Sequence, residues 1–423
     1  MGLFDFMFGS DKDQTPNEPI VVKSGVSYEN FQLGSQGYKY ATSPINTFQK
    51  RTSGGWIRFG EDDGFYDNLL FLYNQSPIHR AIIDRKIDMV VGAGYTYDEV
   101  AYKALPMEKQ VIANKLLRFT DGQEDIIGFL RQIVFDYLLY GQYAFLTNFS
   151  NNNTEIIGMK WRDISKIRIK PEDDWSCEID EFVYCKNFRN AEARANAVCY
   201  EPFSVFDKEH DTQLYYYSKP SSVVEWYSLP YYFSAVKWIE IDTLIANLHK
   251  SNIINGFSPS TIMIFKENPS PEVKRNITKN IVNSFTNTEN YGKIATFFVD
   301  DPDLAPDITT FEPNQLHERY TELNTTTDGK ILTAHGVTNP ELFGIMSSGR
   351  LGNTEIDLSY AIFKNSTITP LQKHFDALVN NMLRFNGIDI KFALNEVTLY
   401  SEKDLAQKQA IVTGQNTEKK ITK

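Results

Sequence analysis

Residues 256–313 constrain the whole chain, because they are ordered like a folding unit yet are too few to fold alone. An apolar strand at 261–265, a helix at 271–285 and a second strand at 293–299 lead to a Pro/Asp-rich exit at 300–306. One β-α-β unit of this size cannot bury enough apolar surface for an independent core. It must pack on something else, and copies of itself are the most plausible partner. Helices flank it on both sides. In 231–254, Trp238, Ile241, Leu244, Ile245 and Leu248 recur at helical spacing on one face, and Lys237, Glu240, Thr243, Asn247 and Lys250 form a polar stripe. At 1.5 Å per residue that helix is about 36 Å long. Residues 314–335 read as the second flanking helix, weaker at 325–329.

Upstream, residues 1–60 are rich in Gly, Ser, Asn and Gln with little periodicity, and read as an extended arm. From Phe65 the pattern changes. Asn68-Leu69-Leu70-Phe71-Leu72-Tyr73 leads through Ser76-Pro77 into Ile78, Ile82, Ile83, Ile87 and Val90, an amphipathic helix with a cap and a first-turn proline, stopped by Gly92 and Gly94. A second helix at 124–139 carries Ile126, Ile127, Leu130, Ile133, Val134, Tyr137 and Leu138. The period then becomes two in short strands at 143–146, 156–161, 166–169 and 182–184. The fold class is α+β.

Downstream, Gly344-Ile345-Met346-Ser347-Ser348-Gly349-Arg350-Leu351-Gly352-Asn353 is a loop with three glycines. Thr354-Glu355-Ile356-Asp357 resembles a capping box and opens a long helix. Its stripe is Leu371, Phe375, Leu378, Val379, Met382 and Phe385, and it ends at Asn386-Gly387. Pro370 inside it predicts a kink or break just before that residue. A half-buried strand at 388–400 and a short polar helix from Glu402 close the chain.

Composition limits the chemistry. The 423 residues carry 43 Lys+Arg against 54 Asp+Glu, a formal net charge of -11. A protein built to grip nucleic acid needs a basic surface that releases counterions; an acidic one lets DNA pass. Cys177, Cys185 and Cys199 fit neither a disulfide framework nor a zinc site and read as reduced, mostly structural thiols. No apolar run reaches the roughly 20 residues of a membrane span, and Met1-Gly2-Leu3-Phe4-Asp5-Phe6 has no signal-peptide character. Residues 287–294 lack the first glycine and terminal hydroxyl of a phosphate-binding loop. The six histidines, His79, His210, His249, His317, His335 and His374, show no metal-ligand spacing. The acidic runs Glu61-Asp62-Asp63 and Glu172-Asp173-Asp174 read as solvated turns. Tyr215-Tyr216-Tyr217, Trp226-Tyr227 and Tyr231-Tyr232-Phe233 lack basic neighbours and read as packing or subunit-interface residues. No cofactor and no metal site is expected.

The ordered set of modules resembles the portal proteins of tailed bacteriophages, the head-to-tail connector family. Three stretches carry the likeness locally. They are Asn68 to Gly94 around Ser76-Pro77-Ile78-His79-Arg80, Tyr140-Gly141-Gln142-Tyr143-Ala144-Phe145, and Ala334-His335-Gly336-Val337-Thr338-Asn339-Pro340-Glu341-Leu342-Phe343-Gly344. In the terms of that family the resemblance implies an arm (1–60), a wing (61–230, resumed at 355–400 by a long helix and returning strand), stem helices (231–255 and 314–337), a clip (256–313), a tunnel loop (338–354) and a short crown (401–423).

The resemblance further implies a non-enzymatic, dodecameric ring at one capsid vertex of the virion, assembled in the host cytoplasm without a membrane. Its partners would be copies of itself, double-stranded DNA in the channel, the large terminase, a head-completion adaptor and the major capsid protein. Ser347, Ser348, Gly349, Arg350, Leu351, Gly352 and Asn353 would line the channel, Arg350 as its main attractive contact. Lys237, Glu240, Asn247 and Lys250 would face the stem lumen, and Lys274, Arg275, Lys279, Asn287 and Glu289 the docking partners of the clip. Two other classes compete. A metal-dependent DNA-processing enzyme would need clustered acidic ligands, and an aromatic-rich glycan-binding surface protein would need export.

Overall fold

The computed structural model describes residues 49–397 with gaps, the larger being 119–124, 255–260, 265–306 (apart from Glu272 and Asn276), 311–315 and 346–352. The chain divides into two compact units, Lys237–Asp328 with the first 42 residues, and Ser43–Val236 with Gly329–Lys423.

The larger unit opens inside the stretch that reads as an arm. β1 (Gln49–Arg51) and β2 (Ile57–Phe59) form an antiparallel hairpin. Phe59 is fully buried, with ring centroids 4.5 Å from Phe65, 5.1 Å from Tyr66 and 4.7 Å from Tyr227. Strands of three residues are too short for alternation to declare itself, which is why the hairpin does not show in the sequence pattern. α1 (Phe65–Gln75) and α2 (Pro77–Val91) follow, and the Ser76 hydroxyl accepts the His79 N–H at 3.3 Å with Pro77 in the first turn. After β3 (Tyr95–Thr96), α3 (Glu99–Ala104) and α4 (Met107–Arg118) occupy a stretch without an assigned pattern. α5 (Ile126–Tyr140) is capped by Asp125, which accepts the Gly128 N–H at 3.0 Å.

Six strands then build the main sheet: β4 (Gln142–Phe149), β5 (Ile156–Arg162), β6 (Ile167–Pro171), β7 (Ile179–Tyr184), β8 (Val198–Pro202) and β9 (Thr212–Ser218), with α6 (Ala191–Ala195) before β8. The order is β5-β4-β9-β8-β7-β6, antiparallel except between β8 and β9. β4 is buried on both faces, and its sequence is accordingly a near-continuous apolar run. The tyrosines of β9 stack on it, Tyr215 on Phe145 at 4.8 Å and Tyr217 on Tyr143 at 5.1 Å. One aromatic cluster is thus sheet packing.

In the smaller unit, β10 (Thr261–Ile264) pairs antiparallel with β11 (Asp307–Thr310), a strand that follows the Pro/Asp-rich exit and that the sequence pattern does not announce. The helix expected at 271–285, apart from the helical Glu272 and Asn276, and the strand expected at 293–299 lie outside the described residues. α7 (Val236–Ile254) and α8 (Leu316–Ala334) are the flanking helices, and α8 runs unbroken through 325–329.

A 3-10 turn (Pro340–Phe343), α9 (Asn353–Phe363) and α10 (Thr369–Phe385) complete the larger unit, with a π-helical turn at Lys364–Ile368 immediately before Pro370. The closing segment corrects the expected strand at 388–400. Among its described residues only β12 (Ala393–Leu394) pairs, with β3. Ile388, Ile390, Phe392 and Leu394 do alternate into the core. Side chains of α10 replace the missing neighbour: Asn380 exchanges two hydrogen bonds with the Phe392 backbone (2.9 and 2.8 Å), and Asp376 accepts the Leu394 N–H at 2.8 Å. The polar helix expected from Glu402 is outside the described residues.

Candidate functional site

The residues expected to act on DNA hang from a frame that is itself well defined. Ser347, Ser348, Gly349, Arg350, Leu351 and Gly352 lie outside the described residues, while Asn353 is the first residue of α9. What can be followed is the chain leading into this loop, rooted at two successive points, both in the larger unit.

The first root is the end of α8. Lys86 on α2 reaches it with a side chain 1% exposed, donating to the His335 carbonyl at 2.7 Å and to the Tyr231 hydroxyl at 3.1 Å. A cation there meets the negative end of a helix, whose last carbonyls have no partner of their own. Tyr231 Oη stands 2.6 Å from His335 Nδ1, and His335 Nε2 stands 2.9 Å from His79 Nδ1. A proton arrangement that satisfies these contacts has Lys86 donating to Tyr231, Tyr231 to His335, and His335 to His79. Tyr232 stacks on His335 at 5.1 Å and donates to the Leu139 carbonyl at 2.7 Å, tying the relay to α5. His79 Nε2 is buried without a partner among the described residues.

Burial dictates the ionisation of this cluster. It pushes Lys86 down to about 7, pushes His79 down to about 3 with help from the Lys86 charge, and holds His335 well below the usual histidine range. Both imidazoles are neutral at pH 7, as the relay requires, because an imidazolium has no acceptor nitrogen.

The second root runs from Gly336 to Ile345. Gly336 and Gly344 have φ of +67° and +74°, a region glycine enters without the penalty of a Cβ. Asn339 caps the 3-10 turn by accepting the Glu341 N–H at 2.9 Å. Phe343 is buried edge-on against Phe363 of α9 at 5.2 Å, and the Lys86 ammonium lies 5.7 Å from that same Phe363 ring. The stretches that carried the portal resemblance therefore meet in space. His79 comes from one, His335 to Gly344 from another, and Tyr140-Gly141 stands where Tyr232 and Ser228 bond back, Ser228 to the Gly141 carbonyl at 2.7 Å.

The other expected site residues distribute as follows. On α7, Lys237, Asn247 and Lys250 are exposed, whereas Glu240 and Thr243 of the same stripe are buried and Leu244 and Leu248 are exposed. Neither Glu240 carboxylate oxygen has a partner among the described residues, and burial, opposed by Lys237, pushes its pKa up to about 7. Lys274, Arg275, Lys279, Asn287 and Glu289 are outside the described residues. The turn read as solvated at Asp63 is a correction: Asp63 accepts the Arg168 Nε–H at 2.6 Å in a pair that is almost fully buried. Cys185 is buried and Cys199 exposed. Among the described residues no group of three or more His, Cys, Asp or Glu could hold a metal ion, and no helix is long and apolar enough to cross a membrane.

Sequence reasoning missed Lys86. A single lysine in an apolar helical stripe reads as a surface residue until its partner, 249 positions away, is known.

No family model matches the sequence, and no curated protein matches it. Solved structures do. A chain from the neck of an empty gene transfer agent particle, reconstructed with six-fold symmetry, superposes with a TM-score of 0.52 at 14% identity over 83% of this chain and 88% of that one. A chain from the neck of the native particle, reconstructed with twelve-fold symmetry, gives 0.47 at 15% identity over 81% and 88%. An HK97-family phage portal protein from Corynebacterium diphtheriae gives 0.46 at 10% identity over 73% and 88%. The chain shares the α+β fold of a gene transfer agent neck component.

Proposed function

We propose that this chain is a phage portal protein, a subunit of a ring at one capsid vertex through which double-stranded DNA enters and leaves. The observation that carries this reading is a coincidence of two independent lines. The order of modules in the sequence is that of a portal, and the fold is shared over most of the chain with a protein from a particle neck.

In this reading α7 and α8 are the stem and 256–313 the clip, which docks the large terminase and later the head-completion adaptor. The loop from Gly344 to Asn353 enters the bore. Ser347, Ser348 and Arg350 come nearest the phosphates, with Arg350 the main attraction in a repulsive channel. The acidic total suits a conduit that must not hold its cargo. The role is structural rather than catalytic. The Lys86-His335 cluster serves it by fixing the position from which the loop departs, so that the loop alone changes shape as DNA slides. The ring is assembled in the host cytoplasm and retained in the virion.

Electron microscopy of the purified full-length chain tests the class: rings with an axial hole support it, and a clean monomer at high concentration contradicts it.

A further inference from the structure

Two apolar surfaces of the larger unit lack cover, and they differ in sign of charge. The first is a knob. Phe206 is 91% exposed and Val205 57%, at the tip of the loop joining β8 to β9. That loop is held by a buried residue: the Gln213 side chain accepts the Ser204 N–H at 2.9 Å and reaches the carbonyls of Asp207 and His210 at 3.4 Å each. Glu201, Asp207, Glu209 and Asp211 flank the knob in sequence against Lys208 and His210, and His210 Nδ1 stands 2.9 Å from the Asp207 carboxylate. The second is a helical face. Val100 on α3 is 80% exposed, and Met107 and Val111, one turn apart on α4, are 77% and 55% exposed. Lys103 and Lys109 of these helices pair with Glu99 and Glu155, while Lys115 and Arg118 are exposed and follow Met107 and Val111 at helical spacing. α4 packs against β5, the edge strand, whereas the knob projects from the third and fourth strands of the sheet.

We propose that the knob of one copy seats on the α3-α4 face of the next copy, forming one contact of the ring. This rests on the portal reading and deepens it by naming the surfaces. A ring closes through heterologous contacts, in which each copy offers two different, complementary patches, and an aromatic anchor inside a charged rim is the usual form of a strong contact. Charge selects the pairing. The apolar helix face of Leu358 and Ile362 on α9 has Asp357 beside it and its nearby Lys364 bound to Glu396, whereas the α4 face keeps Lys115 and Arg118 exposed in line with Met107 and Val111.

The test compares wild type with Phe206→Asp, Met107→Asp and Met107→Lys by mass photometry, with circular dichroism confirming the fold of each. Wild type forms rings. Each Asp variant alone raises the concentration needed for rings tenfold or more, and Met107→Lys does so far less. An equimolar mixture of Phe206→Asp and Met107→Asp has one competent pairing, knob of the second on face of the first, and gives dimers at twice the 48.6 kDa chain mass. Rings from Phe206→Asp at the wild-type concentration, or a mixture that stays monomeric or forms full rings, overturn the pairing while leaving the portal reading intact. A wild type that never forms rings removes the portal reading, and the pairing with it.

Discussion

At the scale of single residues, the fold depends on two buried cations that serve different ends. Arg168 is 3% exposed and spends its donors on Asp63, on the Asp63 carbonyl (3.2 Å) and on the carbonyls of Ser165 and Ile167 (2.8 Å each), with its guanidinium 5.0 Å from Tyr66 and 4.5 Å from Phe188. Removing one partner of such a pair leaves the other charge buried, which costs about 3–5 kcal/mol. Arg168→Ala should therefore lower the melting temperature sharply; an unchanged melt would show that Asp63 finds water or another partner.

Lys86 works at the loop root. Lys86→Met should destabilise by about 1–3 kcal/mol through the His335 carbonyl it leaves bare. The pH dependence has a definite sign. His79, His335 and Lys86 all have folded pKa values below their ordinary ones, so the unfolded chain binds more protons and stability rises with pH. For His79 the window runs from about 3 to the ordinary 6.5, and for Lys86 from about 7 to 10.5. The groups facing one another here are His79 and Lys86 of α2, Tyr231 and Tyr232, His335 at the end of α8, and Phe363 of α9. The melting temperature of wild type relative to His79→Leu should climb from pH 4 to 6.5, a difference that removes the opposite contribution of Asp376 and Glu240, whose carboxyls burial raises to about 6 and about 7. In Lys86→Met the further rise above pH 7 should vanish, and its persistence would contradict the assignment.

At the scale of elements, short motifs acquire physical reasons. Gly141 ends α5 at φ +78°, and a Cβ there would meet the Leu229 carbonyl oxygen at 2.8 Å and Ser228 Oγ at 2.9 Å. Gly141→Ala should therefore cost more than the ~1 kcal/mol typical of glycine-to-alanine exchanges at positive φ, read as a thermal shift; a neutral result would show that the 228–229 segment can move aside. The helices and the central strands were legible because burial on one face forces a 3.6 or 2.0 period. Helix α10 is the clearest case, with Phe375, Leu378, Val379 and Met382 all buried. What stayed hidden was short or long-range. The β1-β2 hairpin is too brief to show a period. The 388–397 segment keeps the period of a strand but bonds to Asn380 and Asp376 instead of a neighbour. The His79-His335 contact spans 256 positions. Nothing local announces that a lysine on α2 bonds to the carbonyl at the end of α8.

At the scale of the whole molecule, the net charge of -11 and the glycine loop make one argument. In the proposed reading, a repulsive bore with a single basic contact per subunit would let DNA slide, whereas a basic bore would hold it in a salt-dependent grip. Replacing Arg350 with alanine should leave ring assembly unchanged and weaken the salt-sensitive retention of DNA in filled particles; loss of the ring would place Arg350 in an interface instead. The most direct measurement of the central claim is a cryo-electron microscopy reconstruction of the assembled full-length chain. The account predicts a closed ring with α7 and α8 around an axial channel and Arg350 on the channel wall. A ring with Arg350 on its outer surface, or no ring at all, would contradict it.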